Sequence, residues 1–399
     1  MIPPIFPLEN RIQHYAWGSH SAIATLAGRP VPSPEPEAEL WMGAHPSAPS
    51  RGPGGESLLA LIERDPSALL GQSREKFGAR LPFLLKVLAA STPLSLQAHP
   101  SPEQARAGYE REEAEGPRLS APNRNYKDPY AKPELLCALG PFTALVGFRE
   151  LDATRRLLAA LDAPSLAPLL RDLAARPRAV ALSQFLEFLL AGPEPERRRI
   201  AEEVGARCRA LAQTASEYAR EYAWGARIAA LYPGDAGVAL ALALNLLELA
   251  PGQAIFLPAG NLHAYLEGTG VEIMASSDNV LRGGLTPKHV DVPELLRVLD
   301  FEASPPAIVP TAREGNETRY LTPTPEFALS RLELRGDTSS LTAHGPEIVL
   351  LTEGSAELAH DGTRIALAPG ASAFVTGTAG SYTLSGTGTL FRAGINPTA

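Results

Sequence analysis

A helical block set inside a chain that otherwise reads as short strands constrains the fold more than any other feature. Residues 150 to about 232 are rich in Ala, Leu, Arg and Glu. Runs such as Ala153-Thr-Arg-Arg-Leu-Leu-Ala-Ala-Leu and Ser183-Gln-Phe-Leu-Glu-Phe-Leu-Leu there have helical patterning. Gly192-Pro-Glu-Pro195 interrupts the pattern and Pro233-Gly-Asp closes it with turn chemistry. The C-terminal part differs, with short β-branched or aromatic runs punctuated by Gly. Asp361-Gly362 stands there between Ala356-Glu-Leu-Ala-His360 and Thr363-Arg-Ile-Ala-Leu367, a hairpin signal within an antiparallel sandwich or barrel.

A weak internal repeat links this tail to the middle of the chain. Leu249-Ala-Pro-Gly252 with Phe256 recurs 118 positions later as Leu367-Ala-Pro-Gly370 with Phe374. A strand, a Pro-Gly turn and a second strand occur in jelly-roll (cupin) barrels. On that spacing His263 corresponds to Ser381, so one active barrel and one structural barrel without metal are expected. The expected fold is mainly β with an α-helical insert. Its parts are a catalytic barrel from 1–149 and 233–310, a helical insert at 150–232 and a cupin-like barrel at 311–399.

Composition narrows the function. A chain of 399 residues exceeds one hydrophobic core, and a net charge of -8 argues against a nucleic-acid partner. The N-terminus lacks a charged segment followed by an apolar one, and the longest apolar stretch, Val238 to Leu247, is too short to span a bilayer. Two cysteines, Cys137 and Cys208, point to a reducing cytoplasm, so a metal must use His, carboxylate or amide ligands. A cytoplasmic protein with no membrane contact is expected. Against 31 Arg there are only five Lys: Lys76, Lys86, Lys127, Lys132 and Lys288. An ammonium is compact and can lose its proton when desolvated, which a guanidinium cannot do.

Three segments carry metal-ligand chemistry. In Leu94-Ser-Leu-Gln-Ala-His-Pro100, strand alternation puts Gln97 and His99 on one face. Ala44-His-Pro-Ser47 repeats Ala98-His-Pro-Ser101, but Gly43 offers no ligand atom where Gln97 does, which favours His99 over His45. Lys132-Pro-Glu134 places two polar side chains on one face before the apolar Leu135-Leu-Cys-Ala-Leu139, and His263 follows a Pro-Gly-rich turn. Taken singly, each also fits an ordinary hydrogen-bonded or solvated group. Together Gln, His, Glu and His suit a zinc site with room for substrate.

Two further features concern an anionic ligand. Ser276 to Lys288 is polar and glycine-rich and carries Asp278, Asn279, Arg282 and Lys288. Lys86 interrupts the apolar run Phe83-Leu-Leu-Lys-Val-Leu88, so it must snorkel outward or find a partner.

These segments resemble the type I phosphomannose isomerases over most of residues 1–305. The resemblance rests on Ile12-Gln-His-Tyr-Ala-Trp-Gly-Ser19, Glu39-Leu-Trp-Met-Gly-Ala-His-Pro46 and Gln97-Ala-His-Pro100. It continues through Tyr126-Lys-Asp-Pro-Tyr-Ala-Lys-Pro-Glu134, His263-Ala-Tyr-Leu and Glu272-Ile-Met-Ala-Ser-Ser-Asp-Asn-Val-Leu-Arg282. It implies two cupin barrels with a helical domain, and one Zn2+ held by Gln97, His99, Glu134 and His263. It also implies a catalytic Arg282 and interconversion of mannose-6-phosphate with fructose-6-phosphate. Ala131 departs from the pattern, standing where many members of the family have an active-site histidine.

Isomerisation through an enediol needs a base near the C2 proton and fixed positive charge for the oxyanion. Lys132 is the first candidate base, with Asp278 and Glu272 as alternatives. Lys86, Ser95 and Lys288 are the candidate phosphate contacts, and Trp17, Asn279, Glu272 and Tyr265 complete the expected substrate contacts. A monomer acting on a small sugar phosphate is expected. A cupin-type iron oxygenase using His99, Glu134 and His263 is a competing reading, against which Gln97 argues. A noncatalytic sugar-binding cupin is a third.

Overall fold

The computed structural model describes residues 2–302 and 306–397. Among these, strands form a ten-stranded and a nine-stranded sheet in which every pairing is antiparallel. The hub of the first is His263–Ala275, which pairs with Phe83–Ala90, Gln97–Ala98, Glu134–Ala138 and Phe142–Phe148. Wrapped this way, its strands enclose an apolar interior that includes Leu88, Leu136, Phe142, Ile255, Leu257 and Tyr265.

Residues of Phe83–Ala90 are buried at every position, because the strand is covered on both faces. Its inner face lines this barrel. Its outer face, with Leu85 and Val87, shares one cluster with Ile348, Leu350, Phe391 and Ala393 of the second sheet. The two sheets therefore pack back to back. Cys137 and Tyr320 meet across that seam, with the thiol Sγ 3.0 Å from the phenol oxygen.

The helical sequence folds as expected and runs on past the Pro233-Gly-Asp turn to a last helix, Gly237–Leu242. The Glu150 carboxylate caps the first helix, Leu151–Ala160, by accepting from the amides of Asp152 and Ala153. These helices bury Leu157, Phe185 and Tyr222 in one cluster with Leu96, Leu262 and Leu281, which flank the site strands. None of the described helices is long and apolar enough to cross a membrane.

The chain begins in the second sheet. Strand Ile5–Leu8 pairs with Ser372–Val375, and the Phe6 and Phe374 rings stack 5.3 Å apart, so residues 5–8 complete the C-terminal barrel instead of the one that follows them in sequence.

The internal repeat is real as structure: Leu244–Leu249, a turn through Gly252 and Ala254–Leu257 recur as Thr363–Leu367, a turn through Gly370 and Ser372–Val375. The equivalence of His263 with Ser381 needs correction. His263 pairs with Gln97, and Tyr265 with Ala144, which pairs with Leu247. In the second barrel Leu358 pairs with both Ile365 and Leu384, so Leu384 answers to Tyr265, and Tyr382 takes the place of His263. The two connectors, 258–262 and 376–380, are equally long, but strand register moves the equivalent position on by one after Val375, which a count made on sequence alone misses and which reverses the face.

Candidate metal centre

Strand pairing assembles the site from segments far apart in sequence. Gln97 lies opposite His263 on one side and Arg282 on the other, so three polar side chains share one sheet face. His99 leaves the same face two residues on, at the point where Ser101 opens helix Pro102–Glu115. The Ser101–Gln104 capping box fixes the chain there. Glu134 starts its own strand opposite Met274.

His99, Glu134 and His263 are each almost fully buried, and their ligand atoms lie within 4.8 Å of one another. His99 Nε2 is 3.3 Å from Glu134 Oε1, His263 Nε2 is 3.4 Å from Glu134 Oε2, and Gln97 Nε2 is 3.3 Å from His263 Nε2. Turning the Gln97 amide over presents its oxygen to the same point.

The tautomers follow from the partners behind the rings. His99 Nδ1 donates to the Asn279 carbonyl at 2.7 Å and His263 Nδ1 to the Asn261 carbonyl at 3.0 Å. Both Nε2 atoms thus present lone pairs to the lone pairs of Glu134. Neither His99 Nε2 nor Glu134 Oε2 finds a hydrogen-bond partner, which is costly for buried atoms unless a cation sits between them. Burial, with Lys132 next, lowers the His99 imidazole to about 4, so it is neutral at working pH. Burial acts to raise the Glu134 carboxyl, but Lys132 and His99 outweigh it and hold the group well below its ordinary range. A neutral imidazole and an ionised carboxylate are the forms that bind a metal.

Lys132 Nζ donates to Glu134 Oε1 at 2.8 Å. Lys86 has found partners instead of snorkelling: its Nζ lies 3.3 Å from Glu39 and 3.1 Å from Glu272, over the Trp41 ring. Burial works against the Lys86 charge, yet the two carboxylates outweigh it and hold the ammonium above its ordinary value. Tyr265 donates to Glu272 at 2.9 Å and Trp41 Nε1 to Glu39 at 2.8 Å. Burial raises the Glu272 carboxyl, with Lys86 opposing.

The 276–288 loop brings its charges to this cluster. Asn279, fully buried, uses its amide to hold the backbone of Lys127, Asp128 and Tyr130, so the structure gives it the role of a strut. The Arg282 guanidinium is half-buried and has no hydrogen bond or ion pair among the described residues; burial lowers its pKa. Lys288 is exposed overall; partial burial of its ammonium, followed by Arg282 and Lys127, lowers its pKa, so each of those two cations lies near it. Ser95 is partly buried just ahead of strand Gln97–Ala98, and Trp17 stacks on Tyr15 at 5.7 Å.

Two residues escaped the sequence reading. His45 is no metal ligand, but its buried Nε2 lies 3.3 Å from Asp278 Oδ1 while its Nδ1 accepts from the Ser47 amide. The duplicated Ala-His-Pro-Ser motif was the available signal. Lys127 gave no local signal, because only the loop packing brings it near Lys288 and Asp278.

A jelly-roll barrel with a buried His, Glu and His set, an amide beside it and an unpaired arginine on the same sheet face defines a cupin-type metalloenzyme. Comparison with known proteins narrows the class. The phosphomannose isomerase type I catalytic domain matches residues 5–151, and the mannose-6-phosphate isomerase cupin domain matches residues 316–395. Mannose-6-phosphate isomerase of Escherichia coli K12 is 39% identical over 395 residues, covering 96% of this chain and 98% of that protein. The Salmonella typhimurium protein is 40% identical over 393 residues, with the same coverage. A zinc-bound crystal structure of a mannose 6-phosphate isomerase superposes with a TM-score of 0.91 at 38% identity, over 99% of this chain and 100% of that one. The chain belongs to the type I phosphomannose isomerase family.

Proposed function

We propose that this chain interconverts mannose-6-phosphate and fructose-6-phosphate at one zinc ion held by Gln97, His99, Glu134 and His263. The observation that carries the reading is a set of buried lone pairs facing one another, His99 Nε2 at 3.3 Å from Glu134 Oε1 and His263 Nε2 at 3.4 Å from Glu134 Oε2, with His99 Nε2 and Glu134 Oε2 lacking any hydrogen-bond partner. Zinc there would supply a Lewis acid that polarises the sugar carbonyl and holds its oxygens.

The chain's own residues divide the remaining work. Arg282, unpaired and on the face of Gln97, stabilises the developing enediolate with a fixed charge. Lys132, beside the ligand carboxylate, takes the C2 proton as the free amine, becoming the ammonium, and returns that proton at C1. Asp278, oriented by His45, handles the hydroxyl proton during ring opening. Glu272 is occupied by Lys86 and Tyr265, which suits it to hold that lysine in place more than to act as base.

The phosphate is met by Lys288, with Lys127 and the outer edge of Arg282 beside it and Ser95 as a hydroxyl donor. Lys86 has its charge matched by two buried carboxylates, which suits it to a positioning role more than to a phosphate contact. The deciding experiment strips the protein with chelator, restores zinc or ferrous iron separately, and follows conversion of mannose-6-phosphate. Zinc-dependent conversion supports the reading. Folded, metal-loaded protein without conversion overturns it.

A further inference from the structure

Strand register allows the two barrels to be compared residue by residue. Glu134 lies opposite Leu257, and Glu347 lies opposite Val375, the residue that repeats Leu257. Both glutamates follow a proline and open an inward-facing strand. Gln97 lies opposite His263 as Leu341 lies opposite Tyr382. Two residues further on, His99 answers to Ala343, which is buried inside the second barrel. Of the four ligand positions, the second barrel therefore keeps the carboxylate and has Leu341, Ala343 and Tyr382 at the other three.

The charges around that carboxylate have been moved. In the first barrel Lys86 lies opposite Glu272, with Glu39 on the next strand. The same positions in the second barrel are Ser330, Arg392 and Glu317. The cation has shifted one strand, from the place of Lys86 to that of Glu272. From there Arg392 reaches Glu347, with Nε 2.9 Å from Oε2 and NH2 2.5 Å from Oε1, while Tyr382 donates to the same carboxylate at 2.6 Å. Glu317, taken by Ser330, lies 3.6 Å from the guanidinium.

We infer that the C-terminal barrel is a second copy of the metal barrel in which Arg392 replaces the ion. The bidentate guanidinium neutralises Glu347, and the Tyr382 hydroxyl adds a second donor to Oε2, so the charge of the former ligand position is matched from within the chain. A divalent ion entering there meets a fixed positive charge and apolar side chains where it needs donors. The barrel is thereby independent of metal, and it backs the catalytic one through Ile348 and Phe391, which share a cluster with Leu135 and Ile273.

The first test is stoichiometry. Chelator-stripped protein is titrated with cobalt(II) and followed by its visible absorption, a readout independent of turnover. One ion per chain is expected, lost in Glu134→Gln and kept in Arg392→Met. A second ion that disappears in Glu347→Gln overturns the inference.

The second test rebuilds the site. In a Glu134→Gln background, the changes Leu341→Gln, Ala343→His, Tyr382→His and Arg392→Met are expected to give one cobalt per chain, and a folded protein that binds none overturns the equivalence. Should that variant fail to fold, the pair Arg392→Met and Glu347→Gln decides. Each is expected to lower Tm by roughly 5–10 °C, with the double variant much less affected than their sum. Additive losses overturn the pairing.

Discussion

Glu134 Oε1 faces His99 Nε2 at 3.3 Å and accepts from Lys132 Nζ at 2.8 Å, so one carboxylate oxygen joins the ligand cluster to the group placed to move protons. The carboxylate is held ionised by that ammonium while its second oxygen has no hydrogen-bond partner.

Lys132→Met is expected to lower kcat by at least about 100-fold, the range of a lost acid–base group, with zinc content unchanged. Turnover within a few fold of the parent in steady-state assays would remove Lys132 from the mechanism.

Glu134→Gln takes away the only charged ligand of the cluster. Zinc content by elemental analysis should fall to near zero. The parent should gain thermal stability on adding zinc, about 2.7 kcal/mol at a hundredfold excess over Kd, and the variant should gain none. Equal zinc-dependent shifts in the two proteins would place the ion elsewhere.

Lys86→Met leaves Glu39 and Glu272 buried with no counter-charge and is expected to cost about 3–5 kcal/mol of stability. Adding Glu272→Gln should restore part of the loss in denaturant unfolding. A single variant as stable as the parent would mean that the pair is solvated in solution.

His45→Gln removes the bond that fixes Asp278. Burial acts to raise the Asp278 carboxyl, while the hydrogen bond and charge of His45 hold it below its ordinary value. Losing His45 therefore raises the pKa of Asp278, so the acid limb of the kcat/KM profile moves to higher pH, with a fall of about 10- to 100-fold at its plateau. An acid limb that stays in place would show that Asp278 is not the group titrating there.

The chain's own residue order determined a good deal. Helical spacing marked residues from 150 onward, and side-chain alternation in Gln97-Ala-His99 put two ligand types on one face, because both periods are local properties of the backbone. The same alternation put Lys132 and Glu134 together. Tertiary structure alone decided the relations set by register between distant strands. It gave Lys86 its two carboxylates, brought His45 to Asp278, sent residues 5–8 into the other sheet and put Tyr382 where a count along the sequence puts Ser381. The reason is physical: alternation fixes which face a side chain takes within its own strand. The partner it meets across the barrel depends on inter-strand hydrogen bonding, and a one-residue slip of register reverses the face.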